Sequence, residues 1–227
     1  MTSLGGWILI IAVAIIGMIV QFKLKSVFSK YSNVLSPGGL TGAQIAQKML
    51  NDNGIYDVNV TCIDGQLTDH YNPTQKTVNL SSDVYRMNSV SAAAVAAHEC
   101  GHAVQHKEAY GPLKLRTALV PVVNISSKLS MIVIIIGILI INVFPALFWI
   151  GIAMFSMVFL FSLVTLPVEF NASRRALAWL KSSNSLSEVE LSQAKEALSW
   201  AASTYVVAAL SSLATLIYYI AIGTSRR

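Results

Sequence analysis

Charge is what this 227-residue sequence has least of. Asp, Glu, Lys and Arg make up only 12% of it against 54% hydrophobic residues, and the mean hydropathy is +0.60. A soluble domain of this size cannot bury that much apolar surface, so membrane segments are expected to take it up. Cysteine is nearly absent: Cys62 and Cys100 stand alone, with no CxxC pair. That gives no disulfide framework. No internal repeat or low-complexity segment is present either. The net charge of +5 requires no nucleic acid, because juxtamembrane lysines beside anionic headgroups account for it.

Four apolar runs stand out. Leu4 to Phe22 has span length but lacks a positive leading region and a small-residue cleavage site, so it reads as a retained signal anchor. A second span, containing Val133–Ile141, runs from near Thr117 to about Asn142. Pro145 opens a third that ends near Leu166, and Ala201–Gly223 is a fourth. No Lys or Arg precedes the first run, whereas Lys23, Lys25 and Lys30 follow it directly. This asymmetry puts the region after the first span in the cytoplasm. Arg174, Arg175, Lys181 and Lys195 agree with that orientation, while Arg226 and Arg227 oppose it. The expected organisation is an anchor over 1–22, a cytoplasmic α+β domain over 23–116 and two spans over 117–166. A cytoplasmic helical segment over 167–200 follows, then a fourth span with its tail over 201–227. Both cysteines fall on the reducing side, so a disulfide is not expected.

Between the first two spans, Ser36-Pro37-Gly38-Gly39 signals a turn. Thr41 with Gln44 has capping-box form. Ile45, Ala46, Met49 and Leu50 then make one apolar helical face, closed by Gly54. Val58, Val60 and Cys62 alternate with polar residues as in a half-buried strand. Leu67–Tyr71 and Thr77–Leu80 follow as two more strands, with turn signals at Asp64-Gly65 and Asn72-Pro73-Thr74-Gln75. These elements predict a small helix on an antiparallel sheet. If Thr77–Leu80 is an exposed edge, an extended peptide could pair with it.

The chemistry centres on His98-Glu99-Cys100-Gly101-His102. The alanine-rich run before it favours a helix beginning near Ser89 or Ser91 and closed by Gly111-Pro112. On that helix the two histidines, four residues apart, share one face and can grip one zinc ion while Glu99 reaches the attacking water. Cys100 points away and reads as a packing residue. A catalytic zinc keeps a third protein ligand, and four residues compete for the place. His106 continues the series, but three histidines along one straight helix cannot wrap a tetrahedral metal. His70 and Asp69 have structural or substrate-binding alternatives. Glu169 follows Pro167 at the cytoplasmic exit of the third span, where an ionisable residue usually has a partner, and is the best placed.

Together His98–His106, Thr68-Asp69-His70-Tyr71-Asn72-Pro73 and Pro167–Ser173 resemble the YugP-like bacterial membrane zinc metallopeptidases, and the likeness covers nearly the whole chain. More distantly the chain is similar to the HtpX type of membrane gluzincin, whose third ligand is a glutamate beyond a transmembrane helix. The resemblance implies an α-helical integral membrane protein of about four transmembrane helices with a small α+β zincin-like metalloprotease domain at the membrane surface. It implies one Zn2+ per chain on His98, His102 and Glu169. In the wider group an aspartate four residues after the glutamate supports a zinc-binding histidine. Here Ser173 stands in that position, so the support passes to Asn171 or Ser173, with Arg174 nearby.

The expected activity is zinc-dependent endopeptidase hydrolysis at the cytoplasmic face of a bacterial cell membrane, through a zinc-activated water with Glu99 as general base. His70 or Tyr71 is expected to donate to the developing oxyanion. The partners are the lipid bilayer and a protein or peptide substrate, misfolded membrane proteins among the candidates, with oligomeric state open. The alternative is a catalytically idle zinc-containing scaffold or quality-control adaptor, against which the intact Glu99 argues. A transporter is disfavoured. Apart from Glu169 at a span exit and Lys128, which can mark where the second span starts, no ionisable residue lies at mid-membrane depth.

Overall fold

Among the described residues, four helices are long and apolar enough to cross a membrane: Gly5–Ser32, Gly111–Leu139, Pro145–Ser182 and Glu188–Ser225. The structure is a computed structural model that describes residues 3–225, so Arg226 and Arg227, the pair opposing the expected orientation, lie outside the described residues. In chain order the elements are α1 (Ser3–Ser32), α2 (Gly42–Asp52), β1 (Asn59–Ile63), β2 (His70–Asn72) and β3 (Thr77–Ser81). They continue with α3 (Ser82–Arg86), α4 (Val90–Lys107), α5 (Gly111–Leu139), α6 (Pro145–Ser182) and α7 (Glu188–Ser225). The chain divides into two compact units. One gathers the chain up to Val20, Lys114–Leu166 and the chain from Thr204; the other gathers Gln21–Leu113 and Pro167–Ser203.

Among its described residues the first unit is helical apart from the turn at 140–144. Ile134, Ile141, Phe148, Ile152 and Leu216 pack at its centre. Trp7, Ile8, Met18, Ile125, Ile132 and Leu139 point outward and are each more than half exposed, as suits a hydrocarbon solvent. Hydroxyls in the apolar stretches bond their own helix: Ser156 donates to Ile152 O, Ser162 to Val158 O, Thr165 to Phe161 O and Thr215 to Ser211 O. This satisfies polar groups that lipid could not.

The second unit holds the α+β part. Thr41 caps α2 with the full reciprocal box expected from its sequence. Ile45, Ala46, Met49 and Leu50 are then buried against α4 and the sheet. Ser89 caps α4 by accepting from Ala92 N. This helix is buried on every side from Val90 to Ala97, which the small alanine side chains permit.

Three expectations are corrected. The sheet is mixed, not antiparallel: its order is β1-β3-β2, with β1 parallel and β2 antiparallel to β3. Thr77–Leu80 is therefore the central strand and no edge. Val78, Asn79, Leu80 and Ser81 are all buried, so both of its faces are covered, and the Asp64–Asp69 loop carries the chain past it to the far side. The second expected strand is shorter, His70–Asn72, because Leu67 sits at φ +56°. Finally, Gly111-Pro112 opens α5 instead of closing α4. Proline belongs in a first helical turn, and the stop falls at Ala109 with φ +55°. The short helix α3 was not anticipated.

Candidate metal centre

The site is built from one buried helix and the stretch of α6 that follows Pro167. A helical turn separates His98 from His102, and their rings meet edge to face with centroids 4.9 Å apart. Across from them α6 comes unusually close. A Cβ on Gly101 would lie 2.7 Å from Ala172 O, so only glycine between the histidines lets the two backbones approach this far. That approach sets Glu169 beside both rings: its Oε2 lies 3.3 Å from His98 Nε2 and 3.6 Å from His102 Nε2. One ligand atom from each of the three residues lies within 4.8 Å of the others, and the Glu169 side chain is 3% exposed.

Close as they are, these contacts lack hydrogen-bond geometry, and Glu169 Oε2 is a buried oxygen without a hydrogen-bond partner. A buried carboxylate oxygen left so is costly. Zinc fits the arrangement. Two imidazoles and one carboxylate are a catalytic zinc donor set, and tetrahedral bonds of about 2.0–2.1 Å put neighbouring donors about 3.3 Å apart. Burial alone would raise the Glu169 carboxyl. The proximity and charge of His102 and His98 more than reverse this and hold it well below the usual carboxylate range. For His102, burial lowers the imidazole, but Glu169, with a smaller push from Glu99, raises it above its ordinary value.

Each of the two histidines has a partner behind its ring. Ser173 Oγ is 3.1 Å from His98 Nδ1. Gln105 Oε1 is 3.0 Å from His102 Nδ1, while Gln105 Nε2 donates to Val168 O and to Asn171 Oδ1. Arg175 Nε donates to the same Asn171 oxygen, and its Nη2 pairs with Glu108 at 2.6 Å. Gln105 is not among the residues that the sequence singles out. The available signal was its place one turn after His102 on the same face. Glu99 is buried, and its Oε2 accepts the Tyr71 backbone N–H at 2.9 Å.

The remaining residues singled out in the sequence stand elsewhere. The His70 ring has both nitrogens engaged within the sheet region, Nδ1 with Thr68 O at 2.8 Å and Nε2 with Asn79 Nδ2 at 3.0 Å. The structure does not gather it with His98, His102 and Glu169. Asp69 accepts from the backbone and hydroxyl of Ser81, and burial raises its carboxyl. His106 Nδ1 pairs with the Tyr71 hydroxyl at 2.8 Å. Cys100 is fully buried beside Ala46 O; burial, with a smaller push from Glu99, drives its thiol well up, as in an inert packing residue.

The family model described as "Putative neutral zinc metallopeptidase" matches residues 6–224. The chain is 46% identical over 207 residues, 91% of each sequence, to the "Putative membrane protease YugP" of Bacillus subtilis (strain 168). No solved structure matches.

Proposed function

The chain belongs to the neutral zinc metallopeptidase family, and from that premise we propose that it is a zinc-dependent endopeptidase anchored in the membrane. His98, His102 and Glu169 are its metal ligands and Glu99 is its general base. The observation that carries this reading is the orphaned Glu169 oxygen facing two imidazole nitrogens in a buried site. Bound there, zinc supplies Lewis-acid polarisation of a peptide carbonyl and a lowered pKa for a water molecule. The chain's own residues do the rest. Glu99 takes the proton from the attacking water and returns it to the departing amine, and the Tyr71 N–H holds its carboxylate in place. Tyr71 spends that N–H on Glu99 and not on β3, so it lies on the open side of β2. We place an extended peptide along this edge, beside the base.

His70 acts as a positioning residue in this scheme. With both ring nitrogens engaged it fixes the strand that presents Tyr71, leaving the oxyanion to other donors. The α+β part adopts a zincin-like role at the cytoplasmic face, an orientation that rests on Lys23, Lys25 and Lys30 following the first span.

The test uses purified full-length protein. Glu99→Gln should retain zinc and lose peptide cleavage by 100-fold or more, on the order of a lost general base. Glu169→Gln should lose the zinc itself. Cleavage that survives Glu99→Gln would sink the mechanism, and undiminished zinc in Glu169→Gln would reject the third ligand.

A further inference from the structure

Gln105 is fully buried on α4, and its carboxamide has three partners. Such a group can be turned end for end with little change of shape, so which end faces the histidine has to be argued from what surrounds it. The Val168 carbonyl, 2.8 Å from one end, can only accept, so that end is the NH2. Asn171 gives the same answer independently. The guanidinium of Arg175 can only donate, so the Asn171 atom 2.7 Å from Arg175 Nε is its oxygen. The Gln105 atom facing this oxygen at 2.9 Å must then be a donor. Both routes leave the Gln105 oxygen turned toward His102.

An amide oxygen cannot donate. The His102 atom 3.0 Å from it, Nδ1, must therefore carry the proton, and the lone pair is left on Nε2, the nitrogen that faces Glu169. His98 has no such restraint, because the Ser173 hydroxyl behind its Nδ1 can rotate to donate or to accept.

We infer that Gln105 is a ligand-positioning residue that locks His102 in the tautomer able to bind metal through Nε2. The direction of the lock is set by the Val168 carbonyl and the Arg175 guanidinium. The inference rests on the zinc reading of the site and assigns a task to a residue the hydrolytic scheme leaves unused.

The experiment measures zinc affinity by chelator competition on the full-length protein in detergent, with no cleavage assay involved. Gln105→Met keeps the volume and removes the acceptor; Gln105→Glu keeps an acceptor opposite His102 in either ionisation state. The methionine variant should bind zinc about 10–100-fold more weakly than wild type, the usual effect of losing a histidine's outer partner, and the glutamate variant should recover most of that loss. Wild-type affinity in Gln105→Met overturns the inference. So does an equal loss in both variants, which would mean that Gln105 only packs α4 against α6. Should Gln105→Met fail to fold by circular dichroism, the long-range proton–nitrogen spectrum of zinc-loaded wild type decides. A proton on His102 Nδ1 with Nε2 on the metal supports the lock, and the reverse assignment overturns it. Wild type that takes up no zinc overturns the metallopeptidase reading and this inference with it, whereas zinc-binding wild type with an indifferent Gln105→Met overturns this inference alone.

Discussion

Glu169 and His102 face each other in a nearly dry site, and their ionisations are displaced in opposite directions, the carboxyl below 4.5 and the imidazole above 6.5. The raised imidazole stabilises the metal-free fold below 6.5, and this contribution is lost as pH rises through its folded value. The depressed carboxyl stabilises above 4.5, and its contribution is lost as pH falls through its folded value. Metal-free protein therefore keeps the ion pair in mildly acidic solution and loses it toward alkaline pH. Zinc requires the neutral imidazole, so binding becomes tighter over the same range. The rise in Tm on adding zinc should grow between about pH 6 and about pH 8, values that bracket an ordinary histidine. A pH-independent rise would show that His102 is not displacing a proton. Of these residues the two histidines stand out by their spacing, and Glu169 by its place after Pro167 at a span exit. Gln105 is not, because its role depends on a carbonyl of α6, 63 positions away in the chain.

At the level of elements, what brings α4 and α6 together is an absence of side chain. The Gly101 contact with Ala172 O leaves no space for a methyl group, and backbone cannot yield as a flexible side chain does. Gly101→Ala should cost about 1–3 kcal/mol of stability, as overpacking does, and should weaken zinc by moving Glu169 away from both imidazoles. Gly111→Ala is the control: an added Cβ there meets nothing within 4 Å, and alanine favours helix. Chemical unfolding with zinc titration on both variants checks this, and a neutral Gly101→Ala would refute the close-packing argument. Helix-forming signals read well because they are local. The Thr41–Gln44 box and the alanine run before His98 each specify a helix within a few residues. Strand order is set by partners far along the chain, so nothing local distinguishes β3 in the middle from β3 at an edge. The same holds for α3, whose five residues are too few to show a period.

For the whole molecule, the membrane reading makes a prediction that its two native thiols can test without mutation. Cys62 is exposed on β1 and Cys100 is buried on α4, and both belong to the unit that carries the site. A membrane-impermeant maleimide reacts with an accessible thiolate on the side where it is added. Burial keeps the Cys100 thiol protonated and shielded, so only Cys62 should react in folded protein. If the lysines after the first span set the orientation, intact cells should leave Cys62 unlabelled and inverted membrane vesicles should label it, one thiol per chain. Unfolding in denaturant should then release the second thiol, which calibrates the count. Labelling from outside intact cells would reverse the topology. The site would then face the exterior, and its substrates would have to be sought among exported proteins instead of at the cytoplasmic face.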